Sequence, residues 1–226
     1  MTPDGTNSVL SFSPERFPFH DLIAAYIGTD ALSDLEAGLP AGGVGEGASL
    51  YKNMEAAPAH VALYEGLQGP SGEEFYALYR QFLREVIAPQ FDGAIYYQRR
   101  PSHRILFRDT PGSPRYHRDR DYGHDPAEVN YLVPQTRAFA TNAMWLESAE
   151  DEGDFEPVEL ELGEYLRFDG ANCRHGAHAN ESGYTRVSFD FRVIPAAIAP
   201  ASVRAAAAGE SGNPVRDNAL AFELLG

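Results

Sequence analysis

The chain has 226 residues, 43% of them hydrophobic and 23% charged, enough apolar material for one large soluble domain. Its 18 Lys and Arg stand against 33 Asp and Glu, a net charge of −15, which argues against nucleic-acid and membrane partners because both call for a basic footprint. A single cysteine, Cys173, excludes an internal disulfide and favours a reducing, cytoplasmic setting.

In chain order, residues 1–93 read as a helical N-terminal part, 94–195 as a β core and 196–226 as a tail of the same domain. The opening "MTPDGTNSVLSFSPERF" has no charged region followed by an apolar run, so no signal peptide is expected. No stretch approaches the ~20 apolar residues of a membrane span. "HDLIAAYIG" (20–28) is expected to form a short helix. "GLPAGGVGEGAS" (38–49) is glycine-rich loop, a lid or a plain connector. The clearest helix is "SGEEFYALYRQFLREVIAP" (71–89). Phe75, Leu78, Tyr79, Phe82, Leu83 and Val86 make its apolar stripe, Ser71 and Glu74 have capping-box spacing, and Pro89 ends it. From residue 94 onward short strands alternate with turn signals, at 94–99, 103–108, 127–133, 138–146, 157–162, 164–169, 173–178 and 185–193. In "VELEL" (158–162), Val158, Leu160 and Leu162 are expected to face inward and Glu159 and Glu161 outward. The tail reads as weakly helical. Eight strands behind a helical part predict a mainly β fold with flanking helices, a double-sheet jelly roll or cupin-like barrel.

Three stretches carry chemistry. "RYHRDRDYGH" (115–124) contains His117 and Asp119, which strand alternation would send to one face. An imidazole and a carboxylate side by side make two thirds of a 2-His-1-carboxylate metal site. Arg115, Arg118, Arg120, Asp121 and Asp125 read as its wet rim, and His124 as either a pocket residue or a loop cap. "CRHGAHANESGYTRVSFDFRVIP" (173–195) offers His175, with His178 as a rival ligand. It then gives a strand with Val187, Phe189, Phe191 and Val193 on one face and Arg186, Ser188, Asp190 and Arg192 on the other. A guanidinium facing inward needs an anionic partner, and a dicarboxylate ligand would match its planar fork, with Ser188 adding a hydroxyl. Asn142 in "FATNAMW" and Asn130 in "EVNYLVP" are polar residues in apolar strands; each either serves the backbone or reaches a ligand. Glu147 could meet a substrate amine and Arg104 a substrate carboxylate, although a solvated strand end and a surface ion pair are the plainer roles. His20, His60 and His103 read as structural or surface residues.

Taken together, His117-x-Asp119, the later His175 and Arg186-x-Ser188 eleven residues beyond it resemble the Fe(II)/2-oxoglutarate-dependent oxygenases of the double-stranded β-helix fold, in particular small bacterial-type hydroxylases. The resemblance covers roughly residues 94–195. It implies Fe(II) on His117, Asp119 and His175, the preferred histidine over His178 for its distance from the arginine. It also implies 2-oxoglutarate held by Arg186 and Ser188, assisted by Asn142, and a substrate met by Arg104, His124 and Glu147. The implied activity consumes molecular oxygen and hydroxylates an unactivated C–H bond of a small, amine-bearing molecule such as an amino acid or natural-product intermediate. In that family halogenating members lack the carboxylate ligand, so Asp119 points to hydroxylation, desaturation or ring closure. A monomer or homodimer is expected. The competing expectation is a cupin-like metal- or sugar-binding protein or epimerase without oxygen chemistry.

Overall fold

Strand alternation over residues 186–193 organises the molecule, because β9 (Arg186–Pro195) is the longest strand and its two faces differ completely. In the computed structural model, which describes residues 7–38, 56–110, 116–208 and 221–226, β9 lies at the centre of the larger of two antiparallel sheets. Its neighbours are β4 (Val129–Pro134) on one side and, end to end on the other, β3 (Ser102–Leu106) and β2 (Ile95–Gln98). Beyond β4 come β7 (Glu164–Phe168) and β1 (Ser8–Ser11); beyond β2 comes β10 (Phe222–Leu225). The smaller sheet is β6 (Glu156–Val158), β5 (Met144–Leu146) and β8 (His175–Ala177). The expected mainly β, double-sheet architecture with flanking helices is thus observed.

Three helices cover the outer face of the larger sheet: α1 (Phe19–Ile27), α2 (Pro58–Gln68) and α3 (Gly72–Phe82). Pro58 suits the first turn of α2, where its missing N–H costs nothing. The apolar stripe of α3 buries Phe75, Tyr79 and Phe82 against Phe189 and Phe191 of β9, with Tyr79 and Phe191 rings 5.3 Å apart. Val187, Phe189, Phe191 and Val193 are all fully buried in this helix-facing core. A second cluster lies between the sheets, where Leu132, Leu166 and Phe168 meet Met144 and Leu146.

Several local expectations need correction. Ser71 begins α3 but makes no capping hydrogen bond; its hydroxyl donates instead to the Gly66 carbonyl. The helix does not stop cleanly at Pro89, but loosens into a π turn (Leu83–Ile87) and a 3-10 turn (Ala88–Gln90) that contains it. Residues 138–146 form a regular strand only over β5, because a 3-10 turn (Ala140–Asn142) interrupts them. Leu162 is exposed, since regular pairing ends at Val158 and only Leu160 forms a further bridge, to Ala138. Helix α2 and the strands β1 and β10 were not expected. Helix α4 (Ala201–Ala207) agrees with the helical reading of the tail. Residues 39–49 of the glycine-rich stretch, and Arg115, lie outside the described residues. No described helix is long and apolar enough to cross a membrane.

Candidate functional site

The metal-ligating types converge where the two sheets meet. His117 and His175 pair through their backbones, N–H to carbonyl in both directions at 3.1 and 3.0 Å, so their rings come to 4.6 Å between centroids. Asp119 does not continue a strand, as the alternation argument assumed. It starts a 3-10 turn (Asp119–Tyr122) that ends on Gly123, whose φ of 88° suits glycine. The turn still delivers its carboxylate to the same place: Asp119 Oδ1 lies 3.7 Å from His117 Nε2 and 3.6 Å from His175 Nε2. One ligand atom from each of the three residues falls within 4.8 Å of the others.

The protonation pattern suits a cation. The Nδ1 of His175 approaches the Cys173 carbonyl at 3.2 Å; a carbonyl only accepts, so Nδ1 carries the proton and Nε2 offers its lone pair inward. Burial holds the His175 imidazole below its usual pKa. Burial alone would raise the Asp119 carboxyl, but Arg192, His175 and Asn130 outweigh it and keep it below the ordinary carboxylate range. His178 does not share in this cluster. Its Nε2 lies 2.7 Å from the Tyr116 hydroxyl and its ring lies 4.5 Å from Trp145.

The polar face of β9 runs from this cluster toward a second feature. Arg186 and Ser188 are nearly or fully buried, yet Arg186 Nε and Nη1 and Ser188 Oγ have no hydrogen-bond partner among the described residues. Burial, with help from Arg104, pushes the Arg186 guanidinium down to about 10. Charged donors buried without acceptors are costly, and an anion with several oxygens would satisfy them. Arg104 sits opposite Ser188 across the β3–β9 pair, half-exposed, with its Nε 3.0 Å from Asp190.

Other expected site residues have different surroundings. Asn142 serves the backbone, the first of its two expected roles: its Oδ1 accepts the Phe139 N–H at 2.7 Å, and its Nδ2 faces the Arg137 and Tyr184 carbonyls. It is fully buried because it closes the turn into β5. Glu147 is fully buried and accepts the backbone N–H groups of Arg174 and Gly153, so it fastens loops. His124 lies with its Nδ1 2.8 Å from Glu128 Oε2, inside the turn. Of the residues expected at the wet rim, Asp121 is exposed and Arg120 and Asp125 are partly so, whereas Arg118 is mostly buried; Arg118 pairs with Asp151, Arg120 with Glu150, and the two aspartates accept nearby backbone N–H groups. The role of Arg192 was missed. It grips Asp119, and the regular alternation along β9 was the signal for its direction.

No protein-family model matches the chain. The streptomycin biosynthesis protein StrG of Streptomyces griseus is 34% identical over 186 residues, covering 82% of this chain and 83% of that protein. Among solved structures, the apo non-heme monooxygenase ThoJ overlaps 84% of this chain and 75% of its own, at a TM-score of 0.49 and 15% identity. AviO1 from Streptomyces viridochromogenes Tue57 overlaps 87% and 92%, at 0.47 and 12%. A Pseudomonas putida prolyl-4-hydroxylase overlaps 85% and 89%, at 0.45 and 15%. On its identity to StrG over most of both proteins, the chain belongs to the StrG family.

Proposed function

We propose that the chain is an Fe(II)/2-oxoglutarate-dependent dioxygenase that hydroxylates an unactivated C–H bond of a small, amine-bearing natural-product intermediate. The observation that carries this reading is the pairing of two features on one site: a His117–Asp119–His175 cluster and, farther along the same face of β9, a buried arginine and serine with no partners.

The residues fit both groups. Two imidazole nitrogens and one carboxylate oxygen match a metal site that leaves positions open. Arg186 would bind the distal carboxylate of 2-oxoglutarate through its fork, and Ser188 would donate its hydroxyl to the same carboxylate. When bound, iron and 2-oxoglutarate together supply the oxidising power, one oxygen atom entering the substrate while 2-oxoglutarate becomes succinate and carbon dioxide. Asp119 and the two histidines hold the ion. The Phe168 ring, 5.4 Å from the His175 ring, covers one side of that site. The substrate class rests on two supports. The net charge of −15 attracts cationic or zwitterionic molecules and repels phosphate-rich polymers. The relative StrG is described as a streptomycin biosynthesis protein. A metal- or sugar-binding protein without oxygen chemistry has no use for the unpaired Arg186.

The test is iron-dependent conversion of 2-oxoglutarate to succinate by purified protein, followed by mass-spectrometric search for a +16 Da product among amine-bearing metabolites. Asp119→Ala and His175→Ala are expected to lose bound metal, whereas His178→Ala keeps it. Wild-type succinate production by Asp119→Ala defeats the assignment of the site.

A further inference from the structure

One oxygen of Asp119 is crowded and the other is bare. Oδ2 accepts three donors: Arg192 Nη2 at 2.8 Å, Arg192 Nε at 3.0 Å and Asn130 Nδ2 at 2.7 Å. Oδ1 faces only the two imidazole Nε2 atoms. The three donors come from a cross-strand pair, since Asn130 of β4 stands opposite Arg192 of β9. The turn is fixed from behind as well. The Asp119 N–H donates to the Gly170 carbonyl at 2.9 Å. A Cβ on Gly170 would lie 2.8 Å from the Asn130 amide, so only glycine allows that amide to stand there. Arg192 is itself braced: Nη1 reaches Gln98 Oε1 at 3.2 Å, and Nε lies 3.3 Å from Glu128 Oε2. Glu128 in turn meets His124 Nδ1 and accepts the Asp125 N–H.

Resting on the proposed metal site, we infer that Arg192 and Asn130 are positioning residues that make Asp119 a one-oxygen ligand. The chemistry explains why this matters. A carboxylate free to chelate would take one more coordination position. With two histidines already bound, too few would remain for a chelating 2-oxo acid together with oxygen. Three donors on Oδ2 hold the carboxylate in one rotation and keep Oδ1 alone on the metal side. Glu128 and His124 act at one further remove, by holding the guanidinium.

Two physical readings of Arg192 predict opposite signs. A guanidinium acting only as a nearby positive charge repels a cation, so its removal would tighten metal binding. A guanidinium acting as a positioner weakens binding when lost, by ~10–100-fold for such outer partners. The probe is Co(II) alone, titrated anaerobically into the purified full chain without 2-oxo acid and followed by visible absorption and competition. Arg192→Met and Asn130→Ala are expected to weaken Co(II) binding in that range and to change the shape of the visible band, with Arg192→Lys intermediate. In the Asp119→Ala background, which loses its metal on isolation but leaves two histidines to bind Co(II) weakly at high concentration, Arg192→Met is expected to cause no further weakening. Unchanged or tighter binding in folded Arg192→Met and Asn130→Ala, or an equal loss in the Asp119→Ala background, overturns the inference. If Arg192→Met does not fold, Asn130→Ala carries the decision, because it removes no charge. Failure of the wild type to bind Co(II) removes the proposed metal site instead, a result distinct from any of these.

Discussion

Arg186 and Arg192 share a face of one strand and are almost equally buried, at 7% and 8% exposure, yet their surroundings are opposites. Arg192 has an acceptor for each of its nitrogens, drawn from Asp119, Gln98 and Glu128. Arg186 has two nitrogens with none. A buried guanidinium that is saturated belongs to the scaffold. One whose donors meet no acceptor among the described residues is open to a partner from outside the chain. The strand therefore carries a saturated charge at one end and an open one at the other.

The strongest way to break this contrast is to remove each arginine from the metal-free protein. Arg192→Leu leaves Asp119 and Glu128 as buried carboxylates without their cation and is expected to cost about 3–5 kcal/mol of unfolding free energy. Arg186→Leu removes an unpaired buried charge and is expected to leave stability equal or higher. Urea unfolding of both variants decides it. Equal losses would make Arg186 part of the scaffold and end the comparison.

Binding should show the reverse ranking. Arg186→Leu is expected to raise the 2-oxoglutarate requirement by roughly 30-fold or more, the consequence of losing ~2 kcal/mol or more from a charge-assisted pair in a closed pocket. Succinate formation against 2-oxoglutarate concentration measures it. An unchanged requirement in the folded variant would move the clamp to another residue.

His103 sharpens the rule by showing an orphan that awaits nothing. Both of its ring nitrogens lack partners, but it stands opposite Phe189 on the helix side of the sheet, among Phe75 and Tyr64. Burial pushes it down to about 3 from an ordinary 6.5, so the imidazole stays neutral in the folded state. The unfolded chain takes up a proton at this residue below pH 6.5 while the folded chain does not. Stability is therefore lost as pH falls from 6.5 toward 3, with the slope of one proton. His103→Leu abolishes that loss. Its unfolding free energy relative to wild type is expected to rise by about 2 kcal/mol between pH 7 and pH 5. A difference that does not move with pH would mean that His103 takes up its proton as readily in the folded protein as in the unfolded chain.

How much of this was readable beforehand follows the range of the interactions. The two-faced pattern of β9 and the apolar stripe of α3 are local periodicities, and both stood in the sequence. So did the triad residue types, although the route by which Asp119 reaches the site did not: a 3-10 turn replaced the expected strand. Which arginine would be saturated depended on Asp119 reaching Arg192 across 73 positions of sequence, and no local pattern encodes that. Asn142 and Glu147 looked like pocket residues because polar groups in apolar strands need a reason. Both accept backbone N–H groups of turns that no local pattern located. Strand β10 was hidden in an alanine-rich tail because its partner, β2, lies more than a hundred residues earlier.

Ser188 gives the smallest and most discriminating test. Its hydroxyl is fully buried and unpartnered, between Pro134 of β4 and Arg104 of β3 in the sheet register. Removing a hydroxyl that bonds the scaffold destabilises a protein, whereas removing one that bonds nothing relieves an unmet desolvation. Ser188→Ala is therefore expected to leave the metal-free protein equal in stability or more stable by up to ~1 kcal/mol. A net hydrogen bond to a ligand contributes ~0.5–1.5 kcal/mol, so the same variant should weaken 2-oxoglutarate binding only about 2–10-fold, well below the effect at Arg186. Thermal unfolding and 2-oxoglutarate titration on one variant thus read both halves of the contrast. A stability loss with unchanged 2-oxoglutarate binding would place Ser188 with Arg192 in the scaffold and leave Arg186 to hold its ligand alone.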